Sequence, residues 1–324
     1  MLARVKPLIS AAVVAFAMSA GQAFAEQYPE RPIHVIVATS PGGVSDVFIR
    51  SLGEELRKKW GQPLVIENRP GGNFHIAAKA CAQAAPDGYT LCVLPAEPLT
   101  YNQFLFKNIG FDPDHDLAPI TNLFFITQVM AINASLGVND LSSLAALCKT
   151  KPKTLSYSAP GLAQALFVEN FNKAEGCDMV RVPFRGGADA LNGLLSGTTP
   201  TVFLGLGNLL GQIKAGKATP LVVDSEKRSP LLPNTKTLRE IGYKGDITRS
   251  YFALMAPAHT PAAIITKISD GIGQVYEDHA FIDKNLVQRG LEPAFQKPTD
   301  FASFLKEDRA VSGRIVKASG LVPQ

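Results

Sequence analysis

Residues 33–37, Ile-His-Val-Ile-Val, form a short apolar run that stops at a turn of small residues, Thr39-Ser40-Pro41-Gly42-Gly43. An amphipathic pattern then runs from about Ser45 to Trp60 and ends at Gly61, which predicts a strand, a glycine turn and a helix. This order sets the N–H groups of a first helical turn at the carboxyl end of a strand. Those groups have no partner within the helix, and the helix dipole favours negative charge there, so the turn is a candidate carboxylate or phosphate cradle.

The alternation continues. A strand is expected over 63–67, running into Asn68-Arg69-Pro70-Gly71-Gly72, then an alanine-rich helix over 74–84, the turn Pro86-Asp87-Gly88 and a strand over 89–94. Such β-α-β-α-β order implies a parallel sheet with right-handed crossovers. A second, less regular set follows: a strand-like run at 124–132, a helix at 141–148 capped by Asp140 or Ser142, and a strand at 155–158 ending in Ala159-Pro160-Gly161. A helix at 163–173, a strand at 180–184, a helix at 188–195 opened by Gly186-Gly187, and strands at 201–204 and 221–223 complete it. The tail from 261 to 324 reads as mainly helical. Two α/β lobes are expected, with helix N-termini facing each other across a cleft, the usual place for a ligand in such sheets.

The first 25 residues stand outside this pattern. Arg4 and Lys6 precede an apolar stretch over 8–16, and Ala23-Phe24-Ala25 reads as a cleavage site, so export and cleavage after Ala25 are expected. The chain has 324 residues, with 32 basic and 28 acidic. Removal of Arg4 and Lys6 leaves a near-neutral protein, which points away from nucleic-acid or membrane-surface partners. Four cysteines remain in a compartment that permits disulfides. Sequence proximity favours Cys81–Cys92 and Cys148–Cys177, with buried small hydrophobes as the alternative. Their spacing does not resemble a zinc site, and no metal or cofactor is expected.

Catalytic signatures are missing. There is no G-x-S-x-G and no H-E-x-x-H, and the Pro41 turn is neither a P-loop nor a complete dinucleotide fingerprint. His34 reads as a sheet position and His115 as part of a solvated acidic loop. His75 is the one histidine expected at the cleft, and with Glu97 it forms the single candidate acid–base pair.

The motifs have a recognisable order: Tyr28-Pro29-Glu30-Arg31-Pro32-Ile33, Pro41-Gly42-Gly43-Val44-Ser45-Asp46, Glu67-Asn68-Arg69-Pro70-Gly71 and Ala85-Pro86-Asp87-Gly88-Tyr89-Thr90-Leu91. Phe111-Asp112-Pro113, Leu117-Ala118-Pro119-Ile120-Thr121, Val182-Pro183-Phe184-Arg185-Gly186-Gly187, Gln212-Ile213-Lys214-Ala215-Gly216-Lys217, Ser225-Glu226-Lys227-Arg228-Ser229-Pro230 and Ala256-Pro257-Ala258-His259-Thr260-Pro261 follow. The whole exported chain resembles the Bug family, the extracytoplasmic solute-binding receptors of tripartite tricarboxylate transporters. The resemblance implies an α/β, two-lobe type II periplasmic-binding-protein fold with an interdomain ligand cleft. Crossover strands are expected near 124–130 and 251–255, so that 26–125 with 250–324 form lobe one and 126–249 lobe two. It implies a periplasmic, monomeric receptor that closes on a small carboxylate and hands it to a membrane permease, with presentation to a sensor kinase as the alternative and an enzyme on the same fold as a remote one.

By the same resemblance, Thr39, Ser40, Pro41, Gly42, Gly43 and Ser45 would hold one carboxylate, with Asp46 as N-cap or loop organiser. Asn73, Phe74, His75, Ala96 and Glu97 would line the cleft from lobe one, and Ser158, Ala159, Gly161, Gln164, Phe184, Gly186 and Gly187 from lobe two. The sequence departs from the family in its bulkier second loop, in a shorter loop at 158–164 and in Glu97. Glu97 near the cleft would repel a dianion and suit an ammonium group or a hydroxyl donor, or else point to solvent or pair with a nearby Lys or Arg. Phe74 and Phe184 would cover an apolar or aromatic part of the ligand. The expected ligand is one carboxylate joined to an amine, amide or aromatic part.

Overall fold

The computed structural model describes residues 28–150, 154–159, 161–184 and 187–323. The expected export signal and the expected site residue Gly186 lie outside the described residues, as do Pro160 and Arg185.

β1 (Ile33–Val37), α1 (Val44–Trp60), β2 (Leu64–Asn68), α2 (His75–Ala82) and β3 (Thr90–Pro95) open the chain. β1 lies between β2 and β3 and is parallel to both. Its apolar run reflects burial on both faces. Ile33, Val35 and Val37 pack with Phe48, Ile49, Leu52 and Leu56 of α1. Ile36 on the opposite face joins Ala77, Ala78, Cys81 and Leu94. Period-two alternation in a strand sends successive side chains to opposite faces, so a strand covered twice reads as continuously apolar. α1 ends where expected, on Gly61 at φ 70°, a left-handed position that glycine occupies without steric cost.

β4 (Leu117–Ile126) and β5 (Gln128–Asn133) follow. The run at 124–132, expected as one strand, is two strands in different sheets, with Thr127 between them. Both are interior strands, so hydrophobicity continues across the crossing and marks no boundary. α3 (Leu141–Thr150), β6 (Ser156–Ser158), α4 (Leu162–Glu175), β7 (Val180–Arg181), α5 (Gly187–Ser196), β8 (Thr201–Gly205), α6 (Leu206–Lys214) and β9 (Ala218–Val223) build the second sheet, in the order β7-β6-β8-β5-β9. Asp140 caps α3, accepting from the Ser143 N–H at 2.7 Å.

The chain then returns to the first sheet through β10 (Ser250–Pro257), α7 (Ala262–Tyr276), α8 (His279–Asn285), β11 (Leu291–Pro293) and α9 (Pro298–Ser319). The first sheet has the order β11-β4-β10-β3-β1-β2. α7 packs Ile264, Ile265, Ile268 and Ile272 into the α1 side of its core. Each sheet thus has a core on both faces, and the chain crosses between sheets after β4 and after β9.

Cys81 and Cys92 form a disulfide, with Cα atoms 6.0 Å apart, which ties α2 to β3. The second expected bridge is absent: Cys148 and Cys177 are thiols. Their side chains meet as a hydrogen-bonded pair, and burial pushes the Cys148 thiol up to about 12. Disulfide exchange needs a thiolate, and this environment suppresses one. Thiol titration of the denatured protein should therefore find two reactive groups, plus a further pair released by reductant. A count of zero before reduction would show that the second pair is bridged.

Candidate functional site

Because β1, β2 and β3 run parallel, the loops that follow them emerge at one edge of the first sheet. In the second sheet β6 is parallel to β7 and β8, and the segments after all three emerge together. Carboxyl-end loops of such sheets are where ligands settle.

The loop after β1 is organised by Asp46. Its buried carboxylate accepts from the Gly42 N–H at 2.9 Å, Arg50 Nε at 3.0 Å and Asn68 Nδ2 at 3.0 Å. Asn68 also donates to the Thr39 carbonyl, and the Thr39 and Ser45 hydroxyls lie 2.7 Å apart. Burial pushes the Asp46 carboxyl up, but the hydrogen bonds from Arg50, Gly42 and Asn68 outweigh it and hold it below the usual aspartate range. Asp46 is not the N-cap of α1. That position is Gly43, which has no side chain to offer.

The loop after β2 takes positive φ at Gly71, Gly72, Asn73 and Phe74 in succession. Two non-glycine residues in this region are unusual, and such conformations persist only where the surroundings fix them. Here the surroundings are an amide pair: Asn73 Nδ2 donates to Asn102 Oδ1 at 2.8 Å, and Asn102 Nδ2 returns a bond to the Asn73 carbonyl at 3.0 Å. Phe74 packs against the first-sheet core. His75 stands edge-on to Phe106, ring centroids 4.9 Å apart. Burial lowers its pKa, and its Nε2 is buried without a partner.

The segment after β3, expected as an irregular loop, is helical. A wide turn over Glu97–Tyr101 leads into a regular turn over Asn102–Leu105. Pro98 suits a helix start, since its missing N–H would lack a partner there anyway.

The loops after β2 and β3 meet a cavity of about 200 Å³ between the two sheets. Asn73, Ala96, Glu97, Tyr101 and Leu105 line it from the first lobe. Gly161, Leu162 and Gln164 line it from the second, and Thr248, Arg249 and Ser250 from the connecting segment. Of the residues expected from sequence, Asn73, Ala96, Glu97, Gly161 and Gln164 are in this wall. Thr39, Ser40, Pro41, Gly42, Gly43 and Ser45 form the loop after β1 and are not. Ser158 is buried, and the Ala159 carbonyl accepts from Arg181 at 2.9 Å. Gly187 opens α5 beside Asn208. Phe74 and Phe184, expected as aromatic cover, are not in this wall; each is half-buried and packs on the core of its own lobe. A Cβ on Gly193 would lie 2.8 Å from the Phe184 ring, so that ring fills the space a larger residue would take. Tyr101, Leu105, Leu162, Thr248, Arg249 and Ser250 were not anticipated.

Behind the wall lies a polar network at the crossing. Asp224 accepts from the Gln128 N–H at 2.8 Å and from Gln164 Nε2 at 3.1 Å. Gln128 Nε2 donates to the Ser250 hydroxyl at 3.2 Å. Arg249 sends two N–H groups to Glu292, at 3.1 and 2.6 Å, and lies 4.1 Å over the Phe125 ring. Burial pushes the Asp224 carboxyl up to about 6 despite Arg249 and both hydrogen bonds. Among the described residues no group of three or more His, Cys, Asp or Glu is placed to hold a metal.

Two α/β sheets linked by two crossings, with a cavity lined from both, define a bilobal binding-protein fold. The adipate complex of Rpa4515 from R. palustris superposes with a TM-score of 0.78 at 27% identity, covering 92% of this chain and all of that one. The periplasmic binding protein BugD gives 0.75 at 28% identity over 92% and 100%. MatC from Rhodopseudomonas palustris with bound malate gives 0.72 at 26% over 89% and 100%. The family model for the tripartite tricarboxylate transporter family receptor matches residues 48–321, and the chain belongs to that family. It is a solute-binding receptor, not an enzyme, and the His75–Glu97 acid–base reading lapses with the histidine outside the cavity wall.

Proposed function

We propose that this chain is an exported, monomeric receptor that captures a small carboxylate-bearing metabolite in the cavity and delivers it, in closed form, to a membrane permease. The observation carrying this reading is the cavity wall, which draws on both lobes and on the segment that joins them. A ligand touching all three favours the closed arrangement over the open one by its differential affinity, which is the condition for a population shift. The loop 39–46, where the N-terminus of α1 and the Thr39 and Ser45 hydroxyls are held in place by Asp46 and Asn68, is outside the cavity wall but emerges at the same sheet edge as the lining loops, and we assign the ligand carboxylate to it in the closed form. The adipate and malate complexes of the relatives support the ligand class, and BugD supports the periplasmic location.

The test is native mass spectrometry with thermal denaturation, using the mature chain and a panel of small carboxylates. A cognate ligand at a hundredfold its Kd should stabilise the protein by about 2.7 kcal/mol, and scattering should show a smaller radius of gyration. Absence of any adduct or stabilisation across gently purified protein and the whole panel would sink the reading.

A further inference from the structure

We infer that Glu97 reads a protonated amine on the ligand, so that the solute is an amino-substituted carboxylate. This rests on the receptor reading above and names the second end of its ligand.

Glu97 is unlike the other carboxylates near the cleft. Asp46 has Arg50, Asn68 and a backbone N–H; Asp224 has two donors and faces Arg249. Among the described residues no side chain donates to the Glu97 carboxyl, and its one hydrogen bond is to its own backbone N–H. It is half-buried and stands in the wall of the cavity between the two lobes. Burial accordingly pushes its pKa up.

The rest of the wall does not supply a countercharge. Arg249 is the only cation among the lining residues, and it is already forked onto Glu292 and laid over Phe125. From behind, the elements packed on the 97–105 segment add negative or neutral groups: Asp308 of α9, and the Tyr101 and Tyr251 phenols, all close enough to feel the Glu97 charge. Arg309 is bonded to Asp114 and to the Leu99 carbonyl. Asp224 sits one hydrogen bond behind Gln164.

A second ligand carboxylate here would meet the Glu97 carboxylate with no unengaged cation among the lining residues, and like charges held close together are costly. An ammonium group supplies the missing charge and three donors. Charge-assisted bonds to a carboxylate are the stronger kind. Asn73, Thr248 and Ser250 remain for neutral groups on the same ligand.

The experiment offers the purified protein an equimolar mixture of matched acids with and without an amine (aspartate with succinate, glutamate with glutarate, 2-aminoadipate with adipate) and reads the adducts by native mass spectrometry. Titration calorimetry follows for whatever binds. The expected adducts carry the amine. Glu97→Gln should weaken amine-bearing ligands roughly 10- to 100-fold, the worth of a hydrogen bond to a charged group, and bind the amine-free diacids no more weakly than the wild type does, because the like charge facing their second carboxylate is gone. Glu97→Asp, which keeps the charge on a shorter arm, should retain the preference for amines, and unchanged melting temperatures establish that both variants are folded. Binding of amine-free acids in preference, or equal amine affinity in Glu97→Gln, overturns the inference and leaves the receptor reading standing. Absence of every adduct overturns both.

Discussion

Replacing Arg249 with methionine is expected to destabilise the protein by about 3 kcal/mol, at the lower end of what breaking a buried ion pair costs. The Arg249 side chain is 9% exposed and its partner Glu292 is 38% exposed. The guanidinium gives Glu292 two charge-assisted bonds in fork geometry, which a point charge would not reproduce. It also faces the buried Asp224, where it offsets part of the desolvation cost. Methionine keeps much of the contact with Phe125 but leaves two carboxylates without their cation. Glu292 recovers some hydration because it is half-exposed, and this is why the expected loss falls at the low end of the range. Urea denaturation should show a lower midpoint with an unchanged slope. A loss below about 1 kcal/mol would place Arg249 among exposed ion pairs, whose worth is generally that small. The position matters for function because Arg249 sits on the segment joining the lobes and also lines the cavity. The variant should therefore lose ligand affinity together with stability.

The parts of this molecule that sequence made visible are those where local pattern and burial agree. The β1–turn–α1 unit is legible because both faces of β1 are covered and glycine punctuation follows. Its internal wiring is less so: Asp46 stands in the first turn of α1, but only the fold brings Asn68 from another strand to meet it. The helical segment at 97–105 follows Pro95 and contains Pro98, yet Pro98 stands in its first turn, where a missing N–H costs nothing. The crossing at Thr127 leaves no mark in hydrophobicity, which is continuous across two interior strands; the expectation of a crossover near 124–130 came from the family resemblance alone.

The cavity wall was half legible. Asn73, Glu97, Gly161 and Gln164 sit on loops at strand carboxyl ends, where a search begins. Thr248 and Arg249 precede β10, Ser250 opens it, and the three reach the cavity only because the chain crosses back between sheets there. The expectation of a crossover near 251–255 was the signal that would have drawn attention to them. Phe74 and Phe184 pack on their own lobes instead of lining this wall, and sequence does not show which of the two an aromatic residue in a glycine-rich loop will do.

Stability should fall as pH rises from about 4 to 6, and Asp224→Asn should remove a large part of that fall. Asp224 and Asp308 are both pushed up to about 6, in each case chiefly by burial. An unfolded aspartate titrates near 3.9. Within this window the folded protein binds more protons than the unfolded chain, so the slope of unfolding free energy against pH is negative. Below about pH 4 both forms are protonated and no cost arises; above about 6 the buried charges are present and the full cost applies. For Asp224 the gap corresponds to on the order of 3 kcal/mol. Asparagine keeps an oxygen for the Gln128 N–H, and the Gln164 amide can turn to offer its own oxygen to the new amide. Asp46, Asp140 and Asp246 act in the opposite sense, since their carboxyls lie below the usual range, and their contribution is lost as pH falls through and below about 4. The wild-type curve thus combines an acid limb, to which the lowered Glu67 and Glu240 also contribute, with a decline at higher pH from Asp224, Asp308 and the raised Glu97. The informative quantity is the difference between wild type and Asp224→Asn, in which the acid limb cancels. That difference should grow in favour of the variant from pH 4 to pH 6.5 and then level off. Parallel curves would mean that Asp224 is already ionised when folded at pH 4, with Arg249 outweighing burial. In that case Arg249→Met would have to cost considerably more than about 3 kcal/mol. Combining the two substitutions distinguishes these outcomes, because an Asp224→Asn background should lower the cost of losing Arg249 by the energy the two side chains share.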